Sequence, residues 1–282
     1  DSISVPSDPF GIVNWHDPDT GSDYTVVGHM VSGELSLFEH HDEGRRDRSC
    51  GDGVDNDDDG LEDEADPGCG SNGLRLVDVD DSLIEGTSYL AVDADGRFLA
   101  TSRFTTRITA FRISRGQLAT VKNIGVDATS GGDNQRGIAI SPSQDRAYVV
   151  SRDPESVLVL DITRDENNDY VDQFLAVIEI GSSPSILRVY ENESYADGFV
   201  LYAVCFGEDR IFVIDPSINE IIDVISTRRG PHDIVFDAEN RVAYLLNFLE
   251  STVSILDVDP ESPRYHDILT TMGRPRRPRS ND

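Results

Sequence analysis

Lysine is almost absent from this 282-residue chain: Lys122 is the only one, set against 53 acidic residues and a formal net charge of −29. So acidic a surface repels nucleic acid and anionic membranes, which excludes both as partners. Arginine supplies nearly all the basic charge, a usage that fits a salt-adapted host, a calcium-rich setting or a GC-rich genome alike. No run of 18 apolar residues occurs, which excludes a transmembrane helix and insertion into a bilayer. No ten-residue segment of helical period is present, so helical layers are not expected. C-x-x-C-H, G-x-S-x-G, the P-loop and a Gly-rich dinucleotide fingerprint are all missing, which removes haem attachment, a nucleophile elbow and nucleotide chemistry. The chain opens at Asp1 without an initiator Met or signal peptide and reads as a processed protein or part of a longer one.

What is present is a repeat. RVAYLLNFLESTVSILDVD (Arg241 to Asp259) has counterparts at Arg146 to Thr163, Arg97 to Ser114, Phe199 to Ser217 and Asp23 to His40. Each unit holds four short β-branched or aromatic runs separated by turn residues such as Asp153 to Ser156, the pattern of four antiparallel strands. First strands are read near Phe10, Tyr89, Arg136, Ser185 and Asp233, at intervals of 79, 47, 49 and 48 residues. Setting aside 41–72 as an insertion between the third and fourth strands of unit one restores the register. Consecutive apolar residues, as at Tyr148, Val149 and Val150, fit strands buried on both faces by stacked sheets.

The pattern Tyr244 to Asp259 resembles the YVTN-type β-propeller repeat, in which a Tyr-Val-x-Asn strand is followed by a Val-Ser-Val-Ile-Asp strand; Asn247 takes the Asn position. The resemblance implies an all-β propeller over 1–273, with five blade units, either closed or part of a six- or seven-bladed ring. It says little about activity, since such relatives include surface proteins, lactonases and electron-transfer enzymes. His266 to Met272 reads as the fourth strand of unit five, leaving Ser2 to Pro6 as an extra fourth strand. In the other reading Ser2 to Pro6 completes the last blade and His266 to Met272 is a loop. Residues 274–282 form a basic, Pro-rich tail.

The insertion carries CGDGVDNDDDGLEDEADPGC, Cys50 to Cys69. Asp55, Asp57, Asp59, the Leu61 carbonyl, Asp63 and Asp66 fall at positions one, three, five, seven, nine and twelve of a calcium loop, with Gly60 at the turn. Alternate residues of a tight loop aim their oxygens at one centre, and Ca²⁺ takes six to eight. The loop is similar to thrombospondin type 3 repeats, and Asp rather than Glu at position twelve implies weak affinity, roughly 10⁻⁴ to 10⁻³ M. Asp52, Asp58, Glu62 and Glu64 are spare ligands for a second ion, and the alternative is a solvated acidic loop that binds nothing specific. A Cys50–Cys69 disulfide would add about 3 kcal/mol through loop entropy and would place the protein in an oxidising compartment: extracellular, at the cell surface or periplasmic.

In propellers the loops leading into first strands gather on one face, which here receives Asp8, Tyr89, Asp133, Asn134, Arg136, Ser183 and His232. We read Tyr89, Asp133, Asn134, Arg136 and His232 as a candidate ligand-binding group, with His232 the sharpest catalytic candidate and a structural histidine its plain alternative. No catalytic grouping stands out. The expectation is therefore a secreted or surface-displayed, non-enzymatic binding propeller with a structural Ca²⁺ loop, whose partner is a protein, a surface polymer or a second copy. A lactonase-like hydrolase acting at the channel and a surface-layer or filament subunit are the alternatives.

Overall fold

The computed structural model describes residues 3, 5–40, 74–80, 86–125 and 133–273. Among them every regular element is a β-strand, and no helix is long and apolar enough to cross a membrane. The strands form five four-stranded antiparallel sheets, each ordered as in the chain. The first holds β1 (Pro9–His16), β2 (Asp23–His29), β3 (Leu35–His40) and β4 (Leu74–Asp80). The second holds β5 (Thr87–Val92), β6 (Arg97–Ser102), β7 (Arg107–Ser114) and β8 (Gln117–Gly125). The third holds β9 (Asp133–Ile140), β10 (Arg146–Asp153), β11 (Glu155–Asp161) and β12 (Gln173–Glu179). The fourth holds β13 (Pro184–Glu191), β14 (Phe199–Cys205), β15 (Arg210–Asp215) and β16 (Glu220–Ser226). The fifth holds β17 (Pro231–Asp237), β18 (Val242–Asn247), β19 (Thr252–Asp257) and β20 (Ile268–Gly273). These are the blades of a β-propeller. His266 to Met272 thus contributes the fifth sheet's fourth strand rather than a loop, because β20 pairs along β19.

The chain divides into two compact units, Asp1–Gly125 and Val126–Asp282. In the first, Tyr24, Val26, Leu35 and Leu37 of one sheet pack on Phe98, Ala100 and Phe111 of the other. Trp15 meets Phe98 edge to face with centroids 6.0 Å apart. In the second unit the fourth sheet is covered on both sides. Leu201 and Ala203 meet Tyr148 and Val150 of the third sheet, while Tyr202 meets Phe236 of the fifth, with centroids 5.0 Å apart. That double burial explains why β14, FVLYAVC, is apolar at every position and buried throughout. Fourth strands lie at the edge and are more open to solvent; in β16 only Ile225 is buried, and the exposed Glu220 and Asp223 discourage pairing with another chain.

Neighbouring sheets of a unit approach most closely along their first strands. A Cβ on Gly11 would lie 2.5 Å from the Ser88 carbonyl oxygen of β5, and one on Gly137 would lie 2.9 Å from the Leu187 nitrogen of β13. Glycine is therefore required at both points for backbone to pass against backbone.

Candidate functional site

One local device recurs in all five sheets. Near its start each first strand breaks register with the second: between Pro9 and Gly11, Thr87 and Leu90, Gln135 and Ile138, Pro184 and Ile186, and Pro231 and Asp233. These are β-bulges, in which an extra residue is re-aimed out of the ladder. The residues so placed include Phe10, Ser88, Arg136, Ser185 and His232. Two positions earlier stands a residue with left-handed backbone in every sheet: Asp8 (φ 56), Gly86 (φ 82), Asn134 (φ 58), Ser183 (φ 51) and Gly230 (φ 64). Four of these are Gly, Asn or Asp, the types that adopt this conformation at least cost. In four of the five sheets the carbonyl of this residue accepts from the residue just past the second strand, as Gly230 does from the Phe248 N–H at 2.8 Å and Ser183 from Phe206 at 3.1 Å.

A second column of side chains, just past or at the end of the second strand, follows from this pairing: Met30, Arg103, Arg152, Phe206 and Phe248. In the first unit Arg103 reaches Met30 Sδ and lies 5.8 Å from the Phe10 ring centroid. Phe10 also meets Tyr89 edge to face at 5.4 Å. In the second unit the half-buried Arg152 donates through Nε to the Pro184 carbonyl at 2.7 Å and through Nη2 to Ser185 Oγ at 3.3 Å. His232 sits against two rings, with centroids 6.5 Å from Phe206 and 6.0 Å from Phe248. Acidic groups around it are held by the protein. Asp209 accepts from the Gly230 N–H at 2.7 Å, Glu208 accepts from the Ser182 N–H at 3.0 Å, and Asp233 lies 3.1 Å from Arg188.

The structure thus sets Arg136 and His232 at the same register position of the third and fifth sheets, with Ser185 at that position in the sheet between. Arg136 is buried and His232 half-buried. Asp133 opens β9 and Asn134 supplies the left-handed turn before Arg136. Tyr89 lies in the first unit at its sheet's bulge. The sequence reading missed Arg152, Phe206 and Phe248. Aligning the repeats on the second strand rather than the first would have found them. The expected calcium ligands Asp55, Asp57, Asp59, Leu61, Asp63 and Asp66 lie outside the described residues, as do Cys50 and Cys69.

A second histidine grouping in the same unit has the look of a relay. His266 stands 2.5 Å through Nδ1 from Asp223 and 2.8 Å through Nε2 from Tyr202 Oη. A carboxylate only accepts, so Nδ1 carries the proton, and Nε2 accepts from Tyr202. Tyr265 stacks on the imidazole at 3.6 Å and bonds Tyr195. Burial raises the Tyr202 phenol far above its ordinary value and, against the Asp223 bond, lowers His266. Tyr202 is fully buried, so no substrate can reach this chain of bonds, and its role is to tie β14, β16 and the segment before β20 together. The concavity lined by Glu239, Arg241, Asp257 and Asp259 is at the end of the fifth sheet away from its bulge, and Arg241 there bonds Asp259 at 3.0 Å.

Solved structures share the fold. A Bacteroides uniformis protein assigned as a 6-phosphogluconolactonase is similar with a TM-score of 0.68 at 16% identity, over 98% of this chain and 74% of its own. One with the same assignment from Bacteroides fragilis gives 0.65 at 15%, over 94% and 70%. A functionally unknown protein from Desulfotomaculum acetoxidans gives 0.63 at 16%, over 97% and 72%. No curated protein is significantly similar in sequence. The model of the family described as "Lactonase, 7-bladed beta-propeller" matches residues 88–281. That match overturns the expectation of a non-enzymatic binding or scaffold propeller, and with it the expectation that the chain is no enzyme. The reason is physical: groups set one per blade stand about 48 residues apart and form no short motif, so the lack of one was no sign of inactivity. With most of its length inside the match, the chain belongs to the lactonase family of seven-bladed β-propellers.

Proposed function

We propose that this protein opens a lactone by hydrolysis at the bulge end of Val126–Asp282. The observation that carries the reading is the shared bulge position of Arg136, Ser185 and His232, since bulges re-aim side chains beside active sites. Imidazole both takes and returns a proton near neutral pH, which suits His232 to act as general base. It draws a proton from water as the oxygen attacks the lactone carbonyl. The guanidinium of the half-buried Arg152, steadied by Pro184 and Ser185, is the cation suited to hold the resulting oxyanion. Collapse breaks the acyl–oxygen bond, and the proton passes from His232 to the leaving alkoxide, giving a hydroxy acid. Family membership and the 6-phosphogluconolactonase assignments of two structural neighbours support this reaction class. The test is ring opening of a lactone panel, followed by acid release, with His232→Ala beside the parent. Activity reduced at least about 100-fold in a folded variant is the expected result. A panel left intact by the parent would remove the reading.

The acidic segment supports a separate structural proposal. Ligand spacing from Asp55 to Asp66 suits one Ca²⁺, and a closed Cys50–Cys69 pair would stabilise the loop in an extracellular, cell-surface or periplasmic setting. Calcium titration of the parent and of Asp57→Asn tests it. Equal affinity in the parent and in Asp57→Asn would count against a formed site.

A further inference from the structure

The rings around His232 go beyond what opening a lactone requires. Phe248 is 62% and Leu249 43% exposed, and the half-buried Phe206 completes an apolar shelf beside the imidazole. The shelf is held in place by the backbone. Phe206 and Phe248 donate their N–H groups to the Ser183 and Gly230 carbonyls. Leu249 packs so closely on Gly230 that a Cβ there would lie 2.6 Å from its Cγ. The repeat does not demand these side chains, because the register position of Phe206 and Phe248 is filled by Arg152 in the third sheet. Large apolar groups kept in water beside a general base gain free energy when a ligand covers them.

The charge at this end narrows what that ligand is. Arg188 lies 3.1 Å from Asp233, Arg210 3.7 Å from Glu208 and Arg228 3.9 Å from Glu250. Arg152 is bonded to the Pro184 carbonyl and Ser185 Oγ. A phosphate group brings a charge of about −1.5 to −2 at neutral pH. It would meet arginines already matched by carboxylates, on a chain whose net charge of −29 slows the approach of any anion. A neutral lactone is not repelled, and an apolar substituent on it is stabilised by covering Phe248 and Leu249. Resting on the reading that this end opens lactones, we propose that the substrate is an uncharged lactone with an apolar substituent. The substituent lies on Phe206, Phe248 and Leu249 while the ring carbonyl is presented to His232.

Three probes test it: δ-valerolactone, δ-phenyl-δ-valerolactone and 6-phosphoglucono-δ-lactone, each kcat/KM taken relative to the probe's uncatalysed opening. The phenyl compound should exceed δ-valerolactone at least about tenfold and the phosphorylated lactone at least about 100-fold. Phe248→Ala should cut the preference for phenyl over δ-valerolactone at least about fivefold, and Phe248→Tyr, which keeps the ring, should retain it. Equal values for the phenyl compound and δ-valerolactone overturn the proposal, as does a phenyl preference untouched by Phe248→Ala. Preference for the phosphorylated lactone also overturns it, and loss of that preference in Arg229→Ala would name the exposed Arg229 as the phosphate's partner. In each of these cases lactone hydrolysis itself stands. A parent that opens none of the three removes the hydrolysis reading, and this inference falls with it.

Discussion

Two histidines of Val126–Asp282 are built to opposite ends. His266 has both ring nitrogens bonded, to Asp223 and Tyr202, and is 8% exposed. His232 sits half-buried on a bulge, against the rings of Phe206 and Phe248, in register with Arg136 and Ser185 of the preceding sheets. A complete Asp–His–Tyr chain looks more catalytic than a histidine between aromatic rings. It is the less available of the two, because a proton relay sealed from substrate can only hold elements together. Access and the bulge, rather than the number of hydrogen bonds, separate chemistry from structure here.

The contrast can be broken at either end. Arg152→Ala should lower ring opening by about 10² to 10³-fold if its half-buried guanidinium supplies the oxyanion's counter-charge, read as kcat in a variant whose fold is checked by circular dichroism. An unchanged kcat would take Arg152 out of the site. His266→Ala should instead leave kcat per folded molecule unaltered and cost about 1–3 kcal/mol in denaturant unfolding, because Tyr202 Oη loses its acceptor in a buried setting. A loss of kcat with unchanged stability would reverse the assignment of the two histidines.

Acidity gives a finer test. Burial holds His266 below its ordinary 6.5 despite the bond to Asp223, so the unfolded chain takes up the proton at a higher pH than the folded one. His266's share of stability is therefore present above about pH 6.5 and lost as pH falls toward the folded value. The thermal midpoint should drop between about pH 7.5 and 5.5, and His266→Gln should flatten that drop. The smallest effect concerns Cys205, whose thiol burial raises to about 12. Labelling of the Cys205 peptide should be at least about 100-fold slower in the folded protein than in denaturant, and replacing it by Ala should leave ring opening intact.

The architecture was legible because each strand states its burial locally. Tyr148, Val149 and Val150 in sequence required cover on two faces, and the repeat of Tyr244 to Asp259 required blades. Individual bulge residues were legible in part: the loops before first strands pointed to Arg136 and His232. The bulge itself was not, since an extra residue shows only when two strands are laid side by side. Arg152 and Phe206 escaped because one register position holds unlike side chains in successive blades. The His266 relay escaped because Asp223 is 43 residues away and Tyr202 is 64. Activity was misread for the same reason, a site assembled from single residues of separate blades having no linear signature.

The measurement that bears most directly on the account is the rate of lactone ring opening by the parent, His232→Gln and His266→Gln side by side, each at a concentration of folded protein fixed by unfolding titration. The account predicts activity in the parent and in His266→Gln, with a fall of at least about 100-fold in His232→Gln. A His232→Gln variant that opens the ring as fast as the parent would contradict it.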